Sequence, residues 1–284
     1  MTARSFEANS AEIVASRLGR EDALSAFLIR LVEHLHTLVK EMQPTRDEWR
    51  EAIRFLTEVG HASDERRQEW ILLSDLLGVS ALVEAINAPR PNGGTPNTSR
   101  GPFYRPDAPR YPSGASISLD GVGMPLEVTG RVVDLDGRPI GGAAIETWQA
   151  NSEGLYENQE PDRQPDFNLR GRFAADAEGR FRYRTIKPAG YSVPAGGPAG
   201  DLFRRAGAPL HRPAHIHFIV RADGFETITT QIYDSADPRL DEDAIFGVRD
   251  QLAADFRPKD SDGTEWALDY VFVMVRSRKR SRAA

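Results

Sequence analysis

A proline-rich segment divides this chain into two parts with different hydrophobic patterns. Residues 88–114 contain seven prolines, which interrupt helices and strand ladders because proline has no backbone N–H to donate. The same segment holds Phe103, Tyr104 and Tyr111, whose apolar rings favour an ordered crossing over a loose tether. The sequence therefore predicts two domains, residues 1–95 and residues 96–284, joined by a packed linker.

Before the prolines, apolar residues recur at helical spacing. The clearest stripe is Leu24, Phe27, Leu31 and Leu35. Thr45 and Glu48 have the spacing of a capping box, which marks the start of another helix. Ser63 is a further candidate cap, for a helix that ends near Gly78. We predict helices through residues 10–87, with the apolar stripe serving either a dimer contact or an internal core.

After about residue 126 the pattern changes to short runs rich in β-branched and aromatic residues, separated by Gly and Pro turns. The predicted strands are residues 128–134, 144–148, 181–185, 215–221, 227–233 and 267–275. The runs do not alternate regularly with helices, which favours an antiparallel sandwich over a parallel sheet. The predicted fold class is α+β, with an N-terminal helical dimerisation domain followed by an antiparallel β-sandwich.

The bulk composition argues against several classes of protein. The formal net charge is −6, which disfavours a nucleic-acid binder that works through a broad basic surface. The chain has no cysteine, so disulfides, thiolate nucleophiles and thiolate metal sites are excluded. Its first residues lack the apolar core of a signal peptide, and no apolar run reaches the ~18–20 residues of a membrane helix. We expect a cytoplasmic protein without nucleic-acid or membrane partners.

The strongest chemical signal is the pair His215 and His217 on a predicted strand. Alternate side chains of a strand share a face, so both imidazoles can reach one ion. Such a pair is weak support by itself, but Arg212 lies three residues before it and two tyrosines, Tyr156 and Tyr191, lie in Gly-containing segments upstream. A phenol ionises near pH ~10, so a strong Lewis acid is needed to hold it as phenolate at neutral pH. Two imidazoles with two phenols indicate Fe(III) and oxygen chemistry.

Several motifs together resemble the intradiol ring-cleavage dioxygenases, and the helical N-terminus resembles their catechol and hydroxyquinol branch. The motifs are Gly101-Pro102-Phe103-Tyr104, Trp148, Tyr156, Asn168-Leu169-Arg170-Gly171, Pro188 to Pro194, Arg212 to Phe218, and Gln231. The resemblance implies one non-haem Fe(III) per subunit, held by Tyr156, Tyr191, His215 and His217. It also implies an aromatic diol or triol and O2 as substrates.

The same resemblance implies catalytic roles for three side chains. Arg212 would stabilise negative charge that develops on the substrate, a role that suits a guanidinium because it is always charged. Gln231 would assist in the same pocket. Tyr191 would leave the iron and act as a base for a substrate proton.

The resemblance further implies a pocket for the substrate ring. Its wall would comprise Leu72, Asp75, Gly101, Pro102, Phe103, Val193, Pro194 and Arg212. In hydroxyquinol 1,2-dioxygenases an acidic residue at the position of Asp75 faces the third ring hydroxyl. A carboxylate near a helix C-terminus opposes the helix dipole, so a hydrogen bond from the substrate gives a reason for it. The predicted reaction is cleavage of hydroxyquinol to 3-hydroxy-cis,cis-muconate, which tautomerises to maleylacetate.

Two other interpretations stay open. Ser99 and Arg100 depart from the hydroxyquinol pattern, which leaves catechol, a substituted catechol or a more polar diol as the substrate. The run from Gly130 to Ala143 resembles the regulatory-like β-sandwich modules of carboxypeptidases, which would make the chain a binding module. By resemblance to the enzymes, we also expect a homodimer through the N-terminal helices, with phospholipid as a possible ligand between subunits.

Overall fold

The computed structural model describes residues 6–18, 22–64, 68–91, 93–193 and 196–277. The chain separates into two compact units, residues 1–58 and residues 59–284. The helices of the described residues are α1 (Phe6–Ala15), α2 (Ala23–Met42), α3 (Arg46–His61), α4 (Glu69–Leu76), α5 (Val79–Asn87) and α6 (Pro198–Arg205). None of the helices in these ranges is both long and apolar enough to cross a membrane.

Helices α2 and α3 begin at polar caps. The carboxylate of Asp22 accepts a 2.8 Å hydrogen bond from the backbone N–H of Ser25 at the start of α2. Thr45 and Glu48 form the predicted capping box, because the Thr45 N–H donates to the Glu48 carboxylate and the Glu48 N–H donates to the Thr45 hydroxyl. The structure confirms this helix start.

The predicted cap at Ser63 is wrong. Helix α4 begins at Glu69, and the Ser63 hydroxyl donates to the carbonyl of Val59. Ser63 therefore satisfies a carbonyl near the end of α3 instead of an N–H at the start of α4. A serine after a helix and before the next one fits both roles, and the sequence offers no signal that separates them.

The second unit contains the strands. They are β1 (Pro125–Asp134), β2 (Ala144–Gln149), β3 (Arg170–Ala174), β4 (Arg180–Ile186), β5 (Tyr191–Ser192), β6 (His211–Arg212), β7 (His215–Arg221), β8 (Ile228–Asp234), β9 (Ala253–Ala254), β10 (Arg257–Pro258) and β11 (Trp266–Met274). One sheet has the order β10-β11-β1-β4 and the other β3-β2-β7-β8-β9, while β5 and β6 form a separate ribbon.

The two larger sheets face each other across one hydrophobic core, as a sandwich requires. Leu126, Val128 and Phe272 reach this core from the first sheet, and Ile145 and Ile216 reach it from the second. The α+β class and the sandwich are thus confirmed, with one difference from a wholly antiparallel arrangement. Strand β1 pairs in parallel with β11, and β8 pairs in parallel with β9. Strands far apart in sequence are not held antiparallel by a hairpin turn.

Strand β7 lies at the centre of its sheet and is buried on both faces. Ile216, Phe218 and Val220 point into the core between the sheets. By the two-residue period of a strand, His215 and His217 therefore lie on the opposite face. That face carries the candidate site.

The proline-rich segment is ordered by backbone hydrogen bonds to the sandwich. Thr98 donates to the Thr229 carbonyl at 2.8 Å, and Tyr111 donates to the Arg172 carbonyl at 2.9 Å. These bonds hold the segment beside the second sheet.

Helices α4 and α5 belong to the same compact unit as the sandwich. The predicted domain boundary at residue 95 stays a prediction.

Candidate metal centre

Cross-strand pairing positions the two histidines. In the register of β2, β7 and β8, His217 lies between Trp148 on one side and Gln231 on the other, and His215 lies opposite Tyr233. The indole of Trp148 stacks on the imidazole of His217, with centroids 4.5 Å apart and planes 11° apart. Both imidazoles are therefore held by rigid strands and buried neighbours.

The two tyrosines arrive from loops and short ribbons. Tyr156 follows β2 and precedes a single 3₁₀ turn, where its backbone N–H donates to the Gln159 side chain at 2.9 Å. Its ring stacks on Phe103, with centroids 4.5 Å apart. Tyr191 begins β5 and pairs with Arg212 in β6. This ribbon carries Tyr191 to the same place as the histidines.

The donor atoms of the four side chains converge. Oη of Tyr156 lies 3.0 Å from Nε2 of His217, and Nε2 of His217 lies 3.2 Å from Nε2 of His215. The ring of Tyr191 packs edge-on against that of Tyr156 with centroids 5.9 Å apart, and its hydroxyl lies 3.4 Å from Nη1 of Arg212. Atoms bound to one metal ion at ~2.0–2.2 Å are themselves about 3 Å apart. The spacing thus fits a shared ion.

Burial fixes the protonation of the histidines. Burial and the nearby Arg212 lower the pKa of His215 to about 3, and burial lowers the pKa of His217 well below its ordinary value. Nδ1 of His215 lies 2.6 Å from the Pro213 carbonyl, which can only accept, so Nδ1 carries the proton and Nε2 presents its lone pair. A neutral imidazole in this tautomer is the metal-binding form.

The phenols restrict which metal fits. Burial raises the pKa of Tyr156 well above its usual range, so a strongly Lewis-acidic cation is needed to hold it as phenolate. Among the described residues, no group of three or more His, Cys, Asp or Glu side chains is placed to hold an ion. The donor set therefore depends on the tyrosines and fits Fe(III), the metal that the resemblance implies.

A cavity of about 280 Å³ opens beside this cluster. Its lining includes most of the predicted pocket residues, namely Leu72, Asp75, Gly101, Pro102, Phe103, Val193 and Arg212. The predicted ligand Tyr191 also lines it. Pro194 lies outside the described residues. Arg100 does not line the cavity, and its guanidinium lies over the ring of Tyr104 at 4.9 Å. The departure at Arg100 therefore falls outside the cavity wall.

Asp75 is a buried acidic group of this cavity, with 6% of its surface exposed, and Glu69 is a second one. Burial raises its pKa, while a hydrogen bond with Ser80 and the charge of Arg212 act in the opposite direction. An ionised carboxylate in such a place lacks solvent, so a donor from a bound ligand stabilises it. Four other lining residues, Gln68, Glu69, Ile71 and Ile245, were not predicted, because nothing in the local sequence pattern marks them as facing a cavity.

Arg212 is buried and linked to several groups of the site. Its guanidinium lies 3.3 Å from Nε2 of His215 and donates to the side chain of Gln231 at 2.8 Å. It also donates to the hydroxyl of Tyr233 at 3.0 Å and to the carboxylate of Asp243 at 3.1 Å. Tyr233 was missed by the sequence analysis, although it lies two residues after Gln231 and so shares its face of β8. Asp243 sits in an acidic loop that gave no such signal.

Comparison with known families agrees with this geometry. The family model described as Catechol dioxygenase N terminus matches residues 23–95, and the model described as Dioxygenase matches residues 100–276. The chain belongs to the intradiol ring-cleavage dioxygenases. It is therefore an enzyme, and the interpretation as a carboxypeptidase-like binding module no longer applies.

Particular relatives refine this class. The chain is 48% identical over 282 residues to a hydroxyquinol 1,2-dioxygenase of Rhizobium sp. (strain MTP-10005), covering 95% of this chain and 96% of the relative. It is 39% identical to a catechol 1,2-dioxygenase of Candida albicans, covering 84% and 82%. Its fold matches a hydroxyquinol 1,2-dioxygenase structure from Pseudomonas putida DLL-E4 with a TM-score of 0.90 and 38% identity, covering 95% and 99%.

Proposed function

We propose that this enzyme inserts O2 between the two adjacent hydroxylated carbons of hydroxyquinol (1,2,4-trihydroxybenzene). The product is 3-hydroxy-cis,cis-muconate, which tautomerises to maleylacetate. The observation that carries the proposal is the convergence of Tyr156, Tyr191, His215 and His217 beside a cavity that contains the buried carboxylate of Asp75. The similarity to a hydroxyquinol 1,2-dioxygenase over nearly the full length of both chains supports the same substrate.

One Fe(III) per subunit would be held by Tyr156, Tyr191, His215 and His217. A ferric ion held there would supply the Lewis acidity and the redox chemistry with which the diol reacts with O2. The protein supplies the setting for this chemistry. The two phenols provide two negative charges when they ionise, which partly balance the charge of the ion, while the two imidazoles stay neutral. The stacking of Trp148 on His217 fixes the orientation of that imidazole ring.

Arg212 places a permanent positive charge beside the reacting diol. Nη1 of Arg212 lies 3.4 Å from the Tyr191 hydroxyl and so faces the place where substrate oxygens enter. Such a fixed charge stabilises negative charge that develops on the substrate in the transition state. Tyr191 lies within reach of the same oxygens, so its phenolate is positioned to accept a substrate proton. The Gln231 side chain links Arg212 to the Ser99 carbonyl and supports that placement.

The cavity orients a flat ring and discriminates its substituents. Leu72, Val193 and Phe103 offer apolar walls for the ring faces. Asp75 offers the acceptor for a third hydroxyl, and this hydrogen bond offsets the unfavourable burial of its charge. Catechol lacks the hydroxyl that would make this bond, so we propose that it binds less well.

The same-class alternative is a catechol or substituted-catechol 1,2-dioxygenase. The 39% identity to the Candida albicans enzyme supports this alternative. The buried Asp75 favours hydroxyquinol, because a carboxylate in the wall of a pocket for catechol would stay without a donor from the substrate.

The assembly is also part of the proposal. Leu24, Phe27, Leu31 and Leu35 of α2 are exposed in the single chain, which supports a dimer contact over an internal core. We infer a homodimer through these helices, with a phospholipid as a candidate ligand of the shared apolar surface. A cytoplasmic location completes the proposal.

The test compares two substrates in two proteins. Purified protein loaded with Fe(III) is assayed by oxygen uptake with hydroxyquinol and with catechol, for the wild type and for Asp75→Ala. We expect the wild type to prefer hydroxyquinol and the variant to lose about 10–100-fold in kcat/KM for hydroxyquinol, the range of one hydrogen bond to a charged group. Catechol turnover should change much less. Equal losses for both substrates would refute the role of Asp75, and no uptake with either substrate would refute the proposed reaction.

A further inference from the structure

Asp243 lies behind Arg212, on the side away from the metal centre. Its side chain is 3% exposed. Oδ1 accepts from Nε of Arg212 at 3.1 Å, and Oδ2 accepts from the backbone N–H of Gly247 at 2.8 Å and from the Tyr233 hydroxyl at 3.3 Å. Burial would raise the pKa of Asp243, but the adjacent guanidinium outweighs burial and holds that pKa below its ordinary value. Asp243 is therefore an ionised carboxylate whose two oxygens accept from fixed donors, Nε of Arg212 and the N–H of Gly247.

The nitrogens of the Arg212 guanidinium contact two different groups of side chains. Nε and Nη2 donate to Asp243, to Gln231 and to the Tyr233 hydroxyl. Nη1 instead faces Tyr191 and His215, at 3.4 and 3.3 Å. A planar guanidinium held at two of its three nitrogens has one orientation. The side held by Asp243 thus determines where Nη1 points.

Gly247 provides a second, independent observation. A Cβ added there would lie 2.2 Å from Oη of Tyr233, 3.0 Å from Oδ2 of Asp243 and 3.2 Å from Oε1 of Gln231. A larger residue would therefore push into three members of the group that holds Arg212. The loop approaches this group with bare backbone, so that its N–H reaches Asp243.

We propose that Asp243 is a positioning residue of the reaction, which holds Arg212 with Nη1 directed at the substrate oxygens. Tyr233 acts with it, because its hydroxyl lies between Asp243 and Gln231 and can donate its one proton to either acceptor. The inference rests on the proposed function, since it assigns Arg212 a task in that reaction. It adds a residue that does not itself line the cavity and that acts through Arg212, which does.

The first test replaces one carboxylate by its amide. In Asp243→Asn, the amide presents one acceptor and one donor group to a place where Arg212 and Gly247 donate to different oxygens, so one of these donors loses its partner. The matched control is Asp234→Asn, whose buried carboxylate pairs with Lys187 at 2.9 Å and has no contact with Arg212 among the described hydrogen bonds. We expect kcat to fall about 10–100-fold in Asp243→Asn, with KM and the anaerobic affinity for hydroxyquinol changed less than about threefold. The control should keep its kcat at a comparable loss of thermal stability.

A double-variant comparison separates positioning from general loss of structure. If Asp243 acts through Arg212, Asp243→Asn added to Arg212→Gln lowers kcat no further, whereas Asp234→Asn behaves the same in both backgrounds. A crystal structure of Asp243→Asn should show Nη1 displaced from Tyr191. An additive effect on kcat, or an unmoved guanidinium, would overturn the proposal.

Tyr233→Phe keeps the test decisive if Asp243→Asn does not fold. This variant removes only the hydroxyl that lies between Asp243 and Gln231. We expect a smaller fall in kcat of about 3–10-fold, in proportion to one lost hydrogen bond, and unchanged kcat in a folded variant would contradict the inference. A wild type that turns over no diol would refute the proposed function instead, and the position of Nη1 in the variant structure would then still decide whether Asp243 orients Arg212.

Discussion

At the scale of single residues, burial sets the charge of the site before any ligand arrives. His215 and His217 are both buried and neutral, and burial raises the pKa of the Tyr156 phenol. A buried phenol pays for ionisation through lost hydration unless a cation compensates it. The candidate centre therefore presents neutral imidazoles and a phenol whose ionisation requires one highly charged cation.

The first prediction concerns Tyr156. Tyr156→Phe keeps the ring that stacks on Phe103 but removes the oxygen 3.0 Å from His217. We expect substoichiometric iron after loading and a weaker or shifted visible absorption band, measured by metal analysis and spectroscopy. The control is Tyr183→Phe, which removes a buried hydroxyl that interacts with Thr147 in the core at 3.0 Å. A Tyr156→Phe protein with full iron content and an unchanged band would argue against Tyr156 as a ligand.

The second prediction concerns the pH dependence of stability at Asp75. Burial raises the folded-state pKa of Asp75, so folding favours its protonated form. The stabilisation is present below the unfolded pKa and is lost as pH rises through the folded pKa. Without substrate, Asp75→Asn should therefore raise Tm at pH about 8, and the gain should shrink as the pH approaches the ordinary range of an Asp carboxyl.

Thermal melts across pH measure this effect. The exposed residue Asp107 provides the comparison, because Asp107→Asn removes a carboxyl that is not buried. A gain in Asp75→Asn that grows towards low pH would have the wrong sign and would refute the argument.

At the scale of elements, strand packing at β1 is the most constrained contact outside the site. Phe181 on β4 is the partner of Gly130 in the strand register, and its ring lies over Gly130. A Cβ on Gly130 would lie 2.2 Å from Cζ of that ring. We expect Gly130→Ala to destabilise the protein by about 1–3 kcal/mol, the usual range for overpacking. Gly196→Ala is the control, because a Cβ there has no atom within 4 Å. Denaturant unfolding that shows equal stability for both variants would contradict this packing argument.

Element patterns were predictable to different degrees. The central strand β7 was visible because Ile216, Phe218, Ile219 and Val220 form a nearly continuous apolar run, as in a strand that is buried on both faces. Strand β3 was missed, because its sequence Arg170-Gly-Arg-Phe-Ala contains one large apolar residue and a glycine. It forms because it pairs with the edge of β2. The local sequence propensity of β3 does not reveal this pairing, because it depends on a strand that is distant in sequence.

At the scale of the whole molecule, the exposed stripe of α2 carries the last prediction. Phe27 is 63% exposed and lies beside Leu31 and Leu24 on one helix face. We expect Phe27→Glu to shift the protein from dimer towards monomer in size-exclusion chromatography with light scattering, because a charge on the stripe opposes its burial. Thr37→Glu adds the same charge away from the stripe and should leave the dimer intact. A wild type that is monomeric at all concentrations would refute the assembly.

The sequence by itself determined the chemistry and the local geometry. The two-residue period of a strand places His215 and His217 on one face whatever the rest of the chain does, and the residue types limit the ion that suits them. Only the tertiary structure decided which other groups meet them. Tyr191 reaches the site through the pairing of β5 with β6, and Asp243 reaches the back of Arg212 from a loop 31 residues away in sequence. Local patterns encode period and polarity, whereas such meetings depend on the packing of the whole sandwich.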